Sequence, residues 1–283
     1  MTLATLAEVL RPAVARGYAV AGLVCLGWED ARAYAMAAEA EAAPVILQAG
    51  PSCRAHTPLP VLGAMFRTLA DSVSVPVVAH LDHGYSREEC RAAIEAGFTS
   101  VMFDGSRLAL AENIAATQEI ARMAKAAGVS CEGEIGFVGY AGGAASAGTD
   151  PGEAARFAAE TGVDAMAISV GNVHLQQDRE GGLDEAKIRA IEAETEVALV
   201  IHGGSGVPLA QRRTLAAGTR IAKFNVGTEL RMAFGAALRA ALEADPARFD
   251  RVEILKAIED PVMTAARTVI QGFGASGQAG RHA

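Results

Sequence analysis

Eight short apolar runs, each rich in Val, Ile, Leu or Ala and lacking polar alternation, alternate with eight alanine-rich amphipathic stretches along most of the 283-residue sequence. No linker rich in Pro, Ser or charge interrupts this rhythm. Runs of that kind are strands buried on both faces, and eight strand-then-helix units of this total length predict an α/β fold, a (β/α)8 TIM barrel. The strands are expected at 18–26, 44–49, 76–80, 99–103, 129–134, 164–170, 198–202 and 220–226. The helices between and after them are expected at 29–42, 58–72, 86–96, 109–127, 151–161, 184–194, 208–217 and 228–243. Several carry start signals: Ser86-Arg87-Glu88-Glu89 reads as a capping box, Pro151 follows Asp150 at a first helical position, and Pro208 opens another helix. The reading is a single domain over 1–283, with the barrel at about 18–243, a C-terminal helical extension at 246–270 and a flexible Gly- and Ala-rich tail at 271–283.

Composition excludes several classes of function. Lys and Arg number 25 against 33 Asp and Glu, a net charge of −8, so neither a nucleic-acid partner nor a polybasic membrane anchor is expected. The apolar runs are strand-sized, well short of the roughly 20 residues of a membrane span. Cys25, Cys53, Cys90 and Cys131 show no CxxC spacing, which argues against a zinc ribbon or a disulfide scaffold. With no basic-then-apolar leader pattern at the N-terminus, a reducing cytoplasm is the expected compartment.

In a barrel of this kind the chemistry sits where strands end and βα loops begin. Of the six histidines, His83, His174 and His202 close the third, sixth and seventh expected strands, and the others are His56, His80 and His282. They are 91 and 28 residues apart, yet a barrel brings such positions to one rim. Three imidazoles with an open fourth position are how a catalytic zinc is held, although each could separately be a hydrogen-bonded strand-end residue. Carboxylates join them. Asp82 precedes His83, Asp104 closes the fourth strand, and Glu132 and Glu134 share one face of the fifth. A carboxylate in an apolar strand is costly unless paired or metal-bound. Asp104 could instead cap a helix, and Glu132 could sit in an internal salt bridge.

Two Gly-rich turns run into helix starts, 202–208 after the seventh strand and 225–229 after the eighth. Glycines let backbone N–H groups approach an anion, and phosphate sites in this fold lie in those two loops. Gly203, Gly204, Ser205, Asn225, Val226, Gly227 and Thr228 are therefore the candidate phosphate-binding residues.

Taken together, His80-Leu81-Asp82-His83-Gly84, Met102-Phe103-Asp104-Gly105-Ser106, Glu132-Gly133-Glu134-Ile135-Gly136, Gly171-Asn172-Val173-His174, 202–208 and 223–229 resemble, in order, the motifs of the class II, metal-dependent fructose-bisphosphate/tagatose-bisphosphate aldolase family. The resemblance covers roughly residues 1–245. It implies that His83, His174 and His202 bind the catalytic Zn2+, and that Asp104 and Glu134 match an alternative position for a second divalent ion. It further implies that Asp82 gives a proton to the aldehyde-derived oxygen, and that Gly203, Ser205, Asn225 and Thr228 hold the dihydroxyacetone phosphate half. The implied reaction is reversible cleavage of a phosphorylated ketose, and the implied assembly is a homodimer or homotetramer. A monovalent cation at the Gly-rich turns is also compatible with it. No lysine Schiff base is required, and Lys223 reads as structural.

The sequence departs from the family pattern at four places. The loop after the fifth strand, 137–149, looks shortened and has no carboxylate before Asp150; Tyr140 is a poor base at the usual tyrosine pKa of about 10. Leu23-Val24-Cys25-Leu26 stands where the family places amides at the end of the first strand. Leu175 follows His174 where a Gly is usual, and Ser52 sits in a changed context after Gln48. These departures point to a related phosphorylated ketose or ketose-acid rather than fructose 1,6-bisphosphate. They also leave open a metal-dependent barrel lyase or isomerase on a different sugar, or a metal-binding homologue without turnover.

Overall fold

The computed structural model describes residues 2–179 and 182–280. Eight parallel strands close into a barrel in sequence order. They are β1 (Val20–Val24), β2 (Val45–Ala49), β3 (Val77–Gly84), β4 (Ser100–Phe103), β5 (Ser130–Ile135), β6 (Ala165–Ile168), β7 (Ala198–Ile201) and β8 (Ile221–Val226). Residues in all eight strands are buried, as the unbroken apolar runs require, and β8 pairs back onto β1 through Val20–Lys223 and Ala21–Phe224.

The outer layer comprises α2 (Trp28–Ala40), α4 (Leu59–Asp71), α5 (Arg87–Glu95), α6 (Leu110–Ala126), α7 (Pro151–Thr161), α8 (Glu185–Glu194), α9 (Leu209–Gly218) and α10 (Thr228–Ala244). The expected start signals cap their helices, although the Ser86–Glu89 box is only half formed, the Glu89 carboxylate accepting from the Tyr85 amide instead. Ser86 Oγ accepts from Glu89 N–H at 3.1 Å, and Asp150 accepts from Glu153 N–H at 3.0 Å with Pro151 at the first helical position.

Two helices lie outside the sequence reading. The first, α1 (Leu6–Arg16), is opened by a Thr5–Glu8 capping box and closed by Gly17 in the left-handed conformation. It buries Leu6, Val9, Leu10 and Ala13 against the barrel, and it escaped notice because Pro12 lies inside it. The second, α3 (Pro51–His56), spans only six residues.

The C-terminal extension forms one long helix, α11 (Arg251–Gly272), packed on α2 and α10, with Arg32 and Glu259 paired at 2.6 Å. The chain beyond α11, expected to be a flexible tail, is instead docked on the barrel. Phe273 and Ala275 are buried, and the Phe273 ring stacks on Phe224 with centroids 4.7 Å apart. Gly277 and Ala279 N–H donate to the carbonyls of Glu41 and Ala42 at 2.8 and 2.9 Å. An apolar anchor and paired backbone hold this segment down. Residues 281–283, including His282, lie outside the described residues. Among the described residues no helix is long and apolar enough to cross a membrane.

Candidate active site

All the strand-end residues singled out above converge at the C-terminal end of the barrel. β3 runs longer than expected because a register irregularity between Leu81 and Gly84 carries it past His80. Asp82 and His83 therefore lie within its last residues, and His83 takes a left-handed φ of +52°. His174 follows β6 and His202 follows β7. The ring centroids of His83 lie 5.2 Å from His174 and 4.7 Å from His202, with His174 and His202 5.6 Å apart. Nitrogens of the three rings lie within 4.8 Å of one another, as do ligand atoms of His83, Asp104 and Glu134.

Hydrogen-bond partners decide which nitrogens are spoken for. His83 Nδ1 bonds Asp104 at 2.8 Å, and His202 Nε2 bonds Glu132 at 3.0 Å. That leaves His83 Nε2 and His202 Nδ1 facing each other at 3.0 Å. His174 Nε2 and Glu134 Oε2 are buried with no hydrogen-bond partner, Glu134 Oε2 lying 3.8 Å from His83 Nδ1 and 3.7 Å from His202 Nδ1. Uncommitted imidazole nitrogens, each ring fixed by a bond from its other nitrogen or by stacking, are the donor set of a site that could hold a metal ion. The His174 ring is fixed by stacking on Tyr140, with centroids 4.9 Å apart.

Behind this cluster runs a dry chain of side chains. Glu132 accepts from Lys223 Nζ at 2.6 Å, Lys223 Nζ lies 3.2 Å from His80 Nε2, and His80 Nδ1 lies 2.8 Å from Ser100 Oγ. Glu132 does sit in an internal salt bridge, and one of its oxygens also holds His202. Lys223 points into this chain, which agrees with its structural reading. Arg54, on α3, braces the end of β3 from outside. It donates to the carbonyls of Asp82 at 2.7 Å and His83 at 2.5 Å, and pairs with Glu89.

Electrostatics divides the cluster. Burial works against a charged His83, yet Asp82, Asp104 and Glu134 outweigh it and lift its pKa to about 9. Burial and His83 push His174 down to about 4 and His202 well below the usual histidine range. Burial, with the charge of Asp104, raises Glu134 to about 8. Burial opposes ionisation of Asp82, but His83, His202 and Lys223 overcome it and hold its carboxyl below the usual range. Asn225 Nδ2 donates to Asp82 Oδ1 at 3.2 Å.

The two Gly-rich turns flank a cleft of about 410 Å³ lined by Asp82, His83, His174, Gly203, Asn225, Gly227 and Thr228 among others. Gly203 has φ +64°, and a Cβ there would meet the Val173 carbonyl at 2.2 Å, so only Gly fits. Gly204, Ser205 and Val226 do not line the cleft. They lie just behind it, with Ser205 Oγ accepting from the Glu229 amide at 3.3 Å. Asp104 and Glu134 likewise stand behind His83 rather than on the cleft wall.

The sequence reading missed Arg231, which lines the cleft and has a buried, unpartnered Nε. Its place one turn into α10 is a signal that could have been read. The 137–149 loop folds back on itself through a Phe137–Ala147 bridge, and a Tyr140–His174 bridge carries Tyr140 to the cleft. Among the described residues Asp82 is the only acid lining it.

A family model described as fructose-bisphosphate aldolase class-II matches residues 4–278. The protein belongs to this class II aldolase family. Curated relatives include the fructose-bisphosphate aldolase of Geobacillus stearothermophilus, 36% identical over 99% of both chains. The 6-phospho-5-dehydro-2-deoxy-D-gluconate aldolase of Bacillus licheniformis is also 36% identical, over 99% of this chain and 97% of its own. Among solved structures, the YdjI aldolase from Escherichia coli K12 superposes with a TM-score of 0.84 at 29% identity, covering 98% of this chain and 99% of that one. As a class II aldolase, the protein is an aldehyde-lyase, and the metal dependence general to its family agrees with the clustered donors described above.

Proposed function

We propose that this class II aldolase reversibly cleaves a phosphorylated ketose, of the fructose-bisphosphate/tagatose-bisphosphate type or a related ketose-acid, into dihydroxyacetone phosphate and an aldehyde, with zinc as its metal. The observation that carries the proposal is the set of uncommitted imidazole nitrogens on His83, His174 and His202 beside a single cleft carboxylate. A three-imidazole donor set suits zinc, while His83, Asp104 and Glu134 offer a second divalent position. When bound, zinc supplies the Lewis acidity that stabilises the negative charge left on the ketone half when the carbon–carbon bond breaks.

The chain's own residues bind and orient the ketose and handle its hydroxyl proton. Asp82, kept ionised by neighbouring positive charge and oriented by Asn225, accepts the hydroxyl proton during cleavage and returns it during synthesis. Gly203, Asn225, Gly227 and Thr228, which line the cleft, hold the phosphate of the ketone half at the start of α10, and Ser205, with Gly204 and Val226, shapes the two turns from behind. Arg231 suits an anionic group, phosphate or carboxylate, on the aldehyde half. Burial and the carboxylates of Asp104 and Glu134 raise the Tyr140 pKa, so its phenol serves as a hydrogen-bond donor rather than a base.

The test is an assay of zinc-loaded protein across a panel of phosphorylated ketoses, detecting dihydroxyacetone phosphate. Release that EDTA and Asp82→Ala each abolish is the expected result; bound zinc with no release from any member rejects the proposal. His202→Ala should bind no stoichiometric zinc, and retained zinc would refute the ligand set.

The same reading puts the protein in the cytoplasm as a homodimer or homotetramer. Its four cysteines are free and buried. Leu230 is the one buried residue along the 17 of α10, while Met232 and Leu242 are exposed. A monomer by light scattering would rule that assembly out.

A further inference from the structure

We infer that Arg212 is a positioning residue for the ketone-half phosphate, a single buried guanidinium that ties the two Gly-rich turns together from behind. The inference rests on the phosphate reading of those turns.

Arg212 lies in the first turn of α9 and has no solvent exposure. A buried guanidinium is expensive unless nearly every donor is used, so its partners show what it is for. Its Nε donates to the Val207 carbonyl at 2.9 Å and its Nη2 to the Ser205 carbonyl at 3.0 Å, both in the turn after β7. Its Nη1 lies 2.8 Å from Glu229 Oε1, an ion pair without hydrogen-bond geometry; Glu229 lies in the first turn of α10, just past the turn after β8. Glu229 also meets Arg179 at 2.6 Å, and its amide donates to Ser205 Oγ. The Arg212 guanidinium sits 5.7 Å from the ring centroid of Phe273, which closes the space beneath it.

The polar contacts of this side chain are therefore with the two segments that must hold still to bind a phosphate. The carbonyls of Gly203 and Gly204 are taken by the amides of Gly206 and Val207 within the turn. Arg212 takes the Ser205 and Val207 carbonyls, drawing acceptor oxygens that would repel an anion to the far side of the turn. It also sets its charge, paired with Glu229 and backed by Arg179, behind the anion site in a chain whose net charge is −8. An aliphatic residue would fill the same volume more cheaply and would do neither.

The experiment compares Arg212→Lys and the double variant Arg212→Met/Glu229→Gln with wild type, all zinc-loaded. It measures equilibrium binding of dihydroxyacetone phosphate and of unphosphorylated dihydroxyacetone. The lysine keeps the buried charge but loses the two-pronged grip; the double variant removes both members of the ion pair, and Arg212→Lys alone carries the test should the double variant not fold. The expected result is about a tenfold loss of affinity for dihydroxyacetone phosphate in Arg212→Lys and a larger loss in the double variant, with dihydroxyacetone binding held within about twofold. Unchanged binding of the phosphate ester in both variants overturns the inference, as does an equal loss for both ligands, which is what general damage to the fold would produce. Wild type with no preference for the phosphorylated ligand overturns the phosphate reading and this inference with it.

Discussion

On the proposed function the cleft has a metal side and an anion side, each braced by an arginine that grips backbone carbonyls from behind, Arg54 on one and Arg212 on the other. They differ in what faces the cleft. On the metal side the working atoms belong to side chains: His83 and His202 are held by Asp104 and Glu132 in a buried network that reaches down to Lys223 and His80, and His174 is held by stacking on Tyr140. On the anion side they belong to backbone turns whose shape depends on Gly203 and on residues outside the cleft. The metal side should thus fail through lost charge balance and the anion side through lost shape, and each can be damaged without the other.

Asp82 belongs to both, since it neighbours His83 and accepts from Asn225, and its loss should be the largest single effect. Asp82→Ala is expected to lower kcat about 10²–10⁴-fold, the range of a general acid–base group, while zinc stoichiometry stays at the wild-type value. A kcat within tenfold of wild type would remove Asp82 from the proton-transfer role.

Next comes Lys223→Met, which damages the metal side alone. It leaves Glu132 without its cation partner in a site with no solvent exposure and strips His202 of an anchored partner. Breaking one member of a buried pair costs about 3–5 kcal/mol, and disturbing the group that orients a metal ligand typically weakens metal affinity 10–100-fold. Urea unfolding and chelator competition measure the two effects. If both stay at wild-type values, the network is not what holds His202.

A third prediction uses pH, again on the metal side. In metal-free protein His83 titrates near 9, above its ordinary 6.5, so the stability it contributes is full below pH 6.5 and is lost as pH rises through 9. Glu134, raised from 4.5 to about 8, acts in the same direction over its own window. His174, lowered from 6.5 to about 4, contributes stability above 6.5 that disappears as pH falls through 4. EDTA-treated protein should therefore lose on the order of 4–5 kcal/mol between pH 6.5 and 9, and zinc loading should blunt that loss by displacing the His83 proton. Unfolding midpoints that are flat or rising across this interval in metal-free protein would contradict the assignment.

The same contrast explains what could be read in the sequence. The barrel was legible because strands buried on both faces are continuous apolar runs, and His83, His174, His202 and Asp82 because polar side chains at the ends of such runs stand out. Glu132 and Lys223 were visible as residues but not as a pair, since pairing across strands depends on register. Arg212, Arg54 and Arg231 lie on helices where arginine is ordinary; only the packing turns them inward. The docked segment after α11 reads as a tail in the sequence because its glycines outweigh Phe273, its large apolar anchor, and because its backbone bonds to Glu41 and Ala42 depend on packing.

The smallest effect concerns the rim between the two sides. Leu175 follows His174, is 49% exposed at the cleft edge and holds a left-handed φ of +61°. That conformation costs a non-glycine residue roughly 1–2 kcal/mol, and glycine relieves it while losing some entropy on folding. Exposure means that little packing opposes the change. Leu175→Gly should therefore raise stability by about 0.5–1 kcal/mol, measured as a shift in urea midpoint at constant slope. Because the carbonyl and amide of His174 are already bonded to Ala141 and Gly139, the metal side should not feel the substitution, and zinc affinity should be unchanged. A fall in zinc affinity with no gain in stability would mean that the strained backbone at Leu175 is what aims His174, joining the rim to the metal side rather than to the boundary between the two.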